Sequence, residues 1–374
     1  MCKLAGYPVE EISCTTKDGY ILRIHRIPHG TSKESQIFKK KPVIFLQHGL
    51  EASSCTFTSN EPHQSAAFMF ADTGFDVFLG NFRGNVYSRQ HTTLKNTDKE
   101  FWNFSFDQMI KYDLDAMIDK ALEVTGEESL YYVGHSQGTL TMFGKLATDP
   151  SFAPKIRWFF ALAPICTAKY IKGTLRVLST LAKPSESLLF YFKEGKMFPR
   201  AKWLKTLTEK AVKVWLFNKI ALSSVYQLVG PNSNQLNESR FPIYVKQMLQ
   251  GTSSKNWQHY LQLVYSGQFQ MFDNRNKTKN IEMYGQEKPP VYDISNVNTP
   301  IVLFWSEKDF LSTEKDLNES IIPNLRADII KASYKLPKFN HMDYIWGNKA
   351  GNKIYKPIIE TVWGDWSAQK GRQS

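Results

Sequence analysis

The spacing of apolar residues changes period several times along this chain. From Tyr7 to Pro28 two β-prone runs, Ile12 to Thr16 and Tyr20 to Ile27, flank Lys17-Asp18-Gly19. An Asp-Gly pair between such runs predicts a hairpin. Lys41 to Gln47 is a nearly continuous apolar run, and Phe75 to Leu79 is another. Runs of that length bounded by turn residues predict buried strands. Between Lys111 and Val124 the period lengthens, putting Leu114, Met117, Ile118, Ala121 and Leu122 on one side of a helix that Gly126 stops. Leu130 to Val133 then predicts a strand, Thr139 to Thr148 a helix, and Arg157 to Pro164 a further strand. After Cys166 the pattern shifts to helix-like spacing rich in Lys and aromatic residues. Strand-like spacing resumes at Pro300 to Trp305. Strands alternating with helices predict an α/β fold: a mostly parallel central sheet with helices on both faces. We expect three segments: core residues 1–166 including the hairpin, a helical cap insertion over 167–292, and core residues 293–374.

The order of elements gives the stretch Leu130 to Thr148 its meaning. A strand, the pentapeptide Gly134-His135-Ser136-Gln137-Gly138 and a helix follow one another. That is the strand–turn–helix setting of a nucleophile elbow, in which a tight turn exposes a serine hydroxyl. The two glycines let strand and helix approach without side-chain clashes. A serine hydroxyl needs an adjacent base to attack. In the α/β-hydrolase fold the partners follow as Ser, Asp or Glu, then His. Asp309 stands just past the strand Ile301 to Trp305, with Glu307 as the rival carboxylate nearer the strand end. Of the eight histidines only His341 lies beyond Asp309. Ser136, His341 and Asp309 are therefore expected to act as nucleophile, base and orienting acid. The oxyanion requires two backbone N–H donors. Gln137, after the nucleophile, supplies one. Leu50 in His48-Gly49-Leu50 supplies the other, with Gly49 as the alternative. His48 and His135 are read as hydrogen-bonding or packing residues, and Asp343 as structural.

Composition narrows the picture. The chain has 374 residues, 42% hydrophobic and 22% charged, as in ordinary globular proteins. The net charge of +12 could suit an anionic partner, but the lysines are scattered and no nucleic-acid motif accompanies them. Cys2, Cys14, Cys55 and Cys166 are far apart and form no C-x-x-C pair. No His-Glu-x-x-His occurs, so no metal and no cofactor are expected. The stretch Gly138 to Leu146 resembles a P-loop but is one residue too long and ends in Leu. No run of 18 apolar residues predicts a membrane span. The N-terminal residues lack the apolar core of a signal peptide, whereas four N-x-S/T sequons, at Asn103, Asn237, Asn276 and Asn318, suit a secretory route.

Long motifs around these residues resemble the acid lipase family, which includes gastric and lysosomal enzymes. They are Thr16-Lys-Asp-Gly-Tyr-Ile-Leu, Leu46-Gln-His-Gly-Leu50, Gly80-Asn-Phe-Arg-Gly-Asn-Val-Tyr-Ser, Glu100-Phe-Trp-Asn-Phe-Ser-Phe-Asp, Gly134-His-Ser-Gln-Gly-Thr and Phe339-Asn-His-Met-Asp-Tyr-Ile-Trp-Gly. The resemblance spans nearly the whole chain. It implies hydrolysis of neutral lipid esters such as triacylglycerols and cholesteryl esters, a helical cap with a lid, and a secreted or lysosomal protein. Without a leader the protein would instead stay in the cytosol. Ala221 to Gly230 lacks the cysteine pair common in the family's cap. We expect a monomer that meets lipid–water interfaces through a lid at Lys202 to Leu228, where Leu204, Leu207, Ala211 and Trp215 recur at helical spacing beside Lys202, Lys205 and Lys213. Alternatives are a short-chain carboxylesterase or thioesterase of the same fold, or a catalytically silent lipid-binding protein.

Overall fold

A computed structural model describes residues 1–37, 40–182, 196–197 and 215–373. Its centre is a nine-stranded sheet. The strands are β1 (Glu10–Thr15), β2 (Tyr20–Ile27), β3 (Val43–Gln47), β4 (Asp76–Leu79), β5 (Gln90–His91), β6 (Leu130–His135) and β7 (Ile156–Leu162). A separate two-residue antiparallel pair, β8 (Lys196–Met197) with β9 (Thr252–Ser253), follows. β10 (Ile301–Trp305) and β11 (Ile330–Lys335) complete the main sheet. Its spatial order is β1-β2-β4-β3-β6-β7-β10-β11, with β5 paired to β2. The hairpin edge is antiparallel, and every pair from β4 to β11 is parallel. The mostly parallel α/β architecture expected from the alternation of elements is thus present.

Parallel strands need both faces covered, so their side chains are apolar in both directions. Phe45, Phe78, Tyr132, Phe159 and Leu303 point to one face. They pack with Leu114 and Met117 of the helix Leu114–Thr125 and with Leu140 and Phe143 of the helix Gln137–Thr148. Ile44, Leu46, Val77, Val133, Phe160 and Phe304 point to the other face. There they meet Phe68 and Phe70 of the helix Ala66–Asp72 and Ile358 and Val362 of the helix Lys356–Gln373. Full burial of each such side chain contributes about 1.5–3 kcal/mol.

Two observations refine the sequence reading. The helix after Ser136 begins at Gln137 rather than Thr139, so the turn is tighter than the residue pattern suggests. Helical hydrogen bonding also begins upstream of Lys111, in the capped turn Phe106–Gln108 and a wide turn over Met109–Asp113, which ends on the buried Asp113 carboxylate. It receives the Arg83 Nε–H at 2.7 Å and the Arg83 backbone N–H at 3.0 Å. The fully buried Arg83 also donates to Asp18 in the hairpin turn and lies over the Tyr20 ring. One cation thereby joins three chain segments.

Between β7 and β10 the described residues are mainly helical: Gly173–Ala182, Trp215–Val229, Phe241–Gln247, Ser254–Ser266 and Lys277–Tyr284. Of the segment expected to form a lid, residues 202–214 lie outside the described residues, and 215–228 fall within the helix Trp215–Val229. No helix among the described residues is long and apolar enough to cross a membrane. All four cysteines are free thiols.

Candidate active site

The carboxyl ends of β6, β10 and β11 converge on one point. Ser136 follows β6 directly and caps the helix Gln137–Thr148 with φ 54° and ψ −116°. A non-glycine residue tolerates this region only where its surroundings hold it there. The Ser136 N–H donates to the Leu162 carbonyl at the end of β7, at 3.0 Å. A methyl group on Gly138 would sit 2.3 Å from the Gln47 carbonyl oxygen, and one on Gly134 would sit 2.7 Å from the Gly138 carbonyl. Both glycines are therefore required by backbone–backbone contact, and that contact holds the turn in its strained form.

Three loops bring the polar set together. The Ser136 Oγ lies 2.8 Å from the His341 Nε2. The His341 Nδ1 lies 2.9 and 3.0 Å from the two Asp309 carboxylate oxygens. The Nδ1–H donates to the carboxylate, which leaves the Nε2 lone pair to receive the serine O–H. Asp309 is fully buried and accepts the Leu311 and Ser312 backbone N–H groups at 2.8 and 2.9 Å. Those bonds hold the carboxylate as an acceptor facing the imidazole. Glu307 lies apart and receives the Lys338 N–H at 3.3 Å instead. The Asp343 carboxylate accepts the Asn340 N–H at 2.7 Å and shapes the turn before the histidine. Burial raises Asp343 to about 6.

Gln137 opens the helix, so its N–H has no intrahelical acceptor. The His48–Leu50 loop passes directly over the serine: a methyl group on Gly49 would lie 3.0 Å from the Ser136 Cβ. Gln137 is buried and Leu50 half-buried at this point. Together with the helix N-terminus, which favours negative charge, these two residues border the space above Ser136.

The neighbouring histidines are structural donors and acceptors. His48 donates from Nδ1 to its neighbour, the Gly49 carbonyl, at 2.8 Å, and its Nε2 receives the Phe82 N–H at 3.2 Å. Burial pushes it down to about 4, so it remains a neutral brace of the loop. His135 donates from Nε2 to the His341 carbonyl at 2.9 Å. Burial, with His341 nearby, pushes it down to about 3. Sequence spacing indicated packing beside the elbow but not this bond across the site.

Other contacts carried little or no local signal. The helix Trp215–Val229 ends on the loops that hold the acid and the histidine. Its Val229 carbonyl accepts the His341 N–H at 3.0 Å and the Phe310 N–H at 3.3 Å. Gly230, at φ 122°, cannot carry a side chain, since a methyl group there would meet the Lys308 carbonyl oxygen at 2.2 Å. Gly230-Pro231 is a readable helix stop in the sequence. What the stop touches is not readable. Glu51, next to Leu50, is buried and receives the Gly251 N–H and the Trp257 indole N–H, each at 2.9 Å. No periodicity links those positions.

Comparison with known proteins agrees with this architecture. Residues 42–348 match the model of the alpha/beta hydrolase fold, and residues 1–61 match the partial alpha/beta-hydrolase lipase region. The chain is 44% identical over 364 residues to lipase lipl-1 of Caenorhabditis elegans, spanning 96% of this chain and 89% of that one. It is 42% identical to human lipase member K, spanning 95% and 87% of the two chains. It is 38% identical to human gastric triacylglycerol lipase, spanning 96% and 88%. Among solved structures, epoxide hydrolase VrEH1 of Vigna radiata is similar with a TM-score of 0.53, at 14% identity over 95% of this chain and 98% of that one. That likeness speaks to the fold alone. With the parallel sheet, the elbow serine at its carboxyl edge and such identity along almost the whole length, the chain belongs to the lipases of the alpha/beta-hydrolase fold.

Proposed function

We propose that this lipase hydrolyses neutral lipid esters, triacylglycerols first and cholesteryl esters second, through an acyl-enzyme on Ser136. The single observation that carries this reading is the continuous chain of short hydrogen bonds from the Ser136 Oγ through His341 to the buried Asp309. His341 takes the Ser136 proton on Nε2 as the Oγ attacks the acyl carbon. The carbonyl oxygen becomes an oxyanion and is stabilised by the backbone N–H groups of Gln137 and Leu50. Collapse expels the alcohol, which receives the proton from His341. Water then enters and gives its proton to His341 while its oxygen attacks the acyl carbon. The fatty acid leaves, and Ser136 regains its proton. Asp309 keeps the imidazole in the productive tautomer and stabilises its cationic form throughout.

The choice of triacylglycerol rests on the similarity to gastric triacylglycerol lipase. In this reading residues 167–292 form a helical cap, residues 202–228 include a lid that meets the lipid–water interface, and the enzyme is a monomer. A secreted or lysosomal location fits the same relatives. It also fits the exposure of Asn103, Asn276 and Asn318, which head three of the four sequons.

The test is hydrolysis of emulsified triolein, cholesteryl oleate and a soluble short-chain ester by the purified protein, with fluorophosphonate labelling in parallel. Ser136→Ala should abolish labelling and leave only a residual ~10³–10⁴-fold acceleration over water. Wild-type turnover in that variant would rule out Ser136. A preference for the soluble ester over both emulsions would replace the lipase reading with a short-chain esterase.

A further inference from the structure

The proposed oxyanion donors come from two segments far apart in sequence, Leu50 and Gln137. Both segments are held by the same turn of another element, the start of the helix Ser254–Ser266. The Trp257 indole N–H donates to the Glu51 Oε1 at 2.9 Å, and Glu51 directly follows Leu50. The Asn256 side-chain amide donates to the Gln137 Oε1 at 2.9 Å. Adjacent residues of one helical turn thus each grip one side of the site.

Glu51 is tied more closely still. Its other carboxylate oxygen accepts the Gly251 N–H at 2.9 Å, and its own carbonyl accepts the Gln250 N–H at 2.9 Å. Its backbone lies at φ 55°, a conformation costly for a residue with a side chain. Strain of this kind persists where surrounding bonds over-determine the backbone. The helix start is itself anchored. Ser253 Oγ receives the Asn256 N–H at 3.0 Å and donates to the Phe104 carbonyl. Asn256 is fully buried, and Glu51 is only 8% exposed. A carboxylate buried beside an oxyanion site would repel the developing charge if it faced it. Here both of its oxygens are turned away onto donors of the helical layer.

We propose that Glu51 is a positioning residue for catalysis, and that the Asn256–Trp257 turn clamps the two oxyanion donors at a fixed separation through Glu51 and Gln137. The inference rests on the reading of Ser136 as nucleophile. It predicts that catalysis depends on a layer outside the sheet, through hydrogen bonds that touch no substrate atom.

The experiment measures kcat and KM on a soluble nitrophenyl ester for wild type, Glu51→Ala, Glu51→Gln and Trp257→Phe, with active sites counted by burst titration. Loss of a whole oxyanion donor lowers kcat about 10²–10³-fold, so a displaced donor in Glu51→Ala should lower kcat per titrated site about 10- to 100-fold with KM within about threefold. Glu51→Gln keeps one acceptor, and Trp257→Phe keeps the ring but not the donor, so both should fall between. A boronic acid that forms a tetrahedral adduct should weaken by the same factor as kcat. If Glu51→Ala fails to fold, the other two variants carry the test. Unchanged kcat per site in Glu51→Gln and Trp257→Phe, or a loss confined to KM, overturns the clamp. Absence of a burst in wild type, or its survival in Ser136→Ala, refutes the Ser136 reading instead.

Discussion

The carboxyl edge of the sheet and the helical layer facing it are held by different kinds of bond. At the edge the backbone itself sets the geometry. Gly134 and Gly138 leave no room for a methyl group, Ser136 is forced to positive φ, and Asp309 is pinned by two backbone N–H groups. The helical layer reaches the same place through side chains such as Glu51, Trp257 and Asn256. The difference teaches where change is tolerable. Backbone contacts fail when one atom is added. Side-chain contacts weaken by degrees.

The largest effect should come from the edge. Asp309→Asn keeps the shape of the loop but disfavours the productive tautomer of His341. We expect kcat to fall by about four orders of magnitude with an unchanged circular dichroism spectrum. A loss below tenfold would mean that another carboxylate orients the imidazole.

Gly138→Ala attacks the backbone contact directly. The added methyl meets the Gln47 carbonyl rather than a flexible side chain, so strand and helix must separate. Destabilisation of about 4 kcal/mol, at the upper end for overpacking, should appear in urea unfolding. Gly364→Ala, where a methyl group meets nothing, is the matched control.

The two regions should also part in their response to pH. At the junction with the helical layer, burial raises Glu51 from 4.5 to about 7, against the lowering effects of the Trp257 and Gly251 donors and of Arg89. A raised folded-state pKa contributes stability that is full below about 4.5 and is lost as pH rises through 7. At the edge, burial lowers His48 from 6.5 to about 4. A depressed histidine contributes stability that is present above 6.5 and is lost as pH falls toward 4. Glu51→Gln should therefore abolish a fall of up to about 3 kcal/mol that wild type suffers as pH rises from about 4.5 to 7, and leave the acid-side loss in place. Unfolding free energies at pH 5 and pH 8 for the variant and wild type check this. Parallel changes in both proteins would show that Glu51 does not titrate as described.

The smallest effect should come from the outer surface of the helical layer. Val177 and Leu178 are 58% and 49% exposed on the helix Gly173–Ala182. Val177→Ser with Leu178→Ser should lower turnover of emulsified triolein roughly threefold, by weakening apolar contact with the lipid surface. Turnover of a soluble ester should not move. Equal loss on both substrates would assign the pair to packing.

Much of the fold and of the candidate site could be read along the chain, because neighbours a few residues apart carry that information. Short, nearly continuous apolar runs mark β3, β6, β7 and β10. The glycine spacing around Ser136 marks the elbow, and His341 stands alone after Asp309. These features follow from local backbone geometry and the order of elements. What only the folded chain decides are contacts between positions that local periodicity cannot relate. Asp309 and Glu307 are two residues apart, yet one faces the imidazole and the other a backbone N–H of the following loop. His135 reaches the His341 carbonyl, and the end of the helix Trp215–Val229 secures the loops that carry Asp309 and His341. Glu51 meets Trp257 across 206 residues, and Gln137 meets Asn256 across 119. A hydrogen bond between such positions depends on where two chain paths cross. That crossing is set by the packing of helices on the sheet, so it exists only once the core has formed.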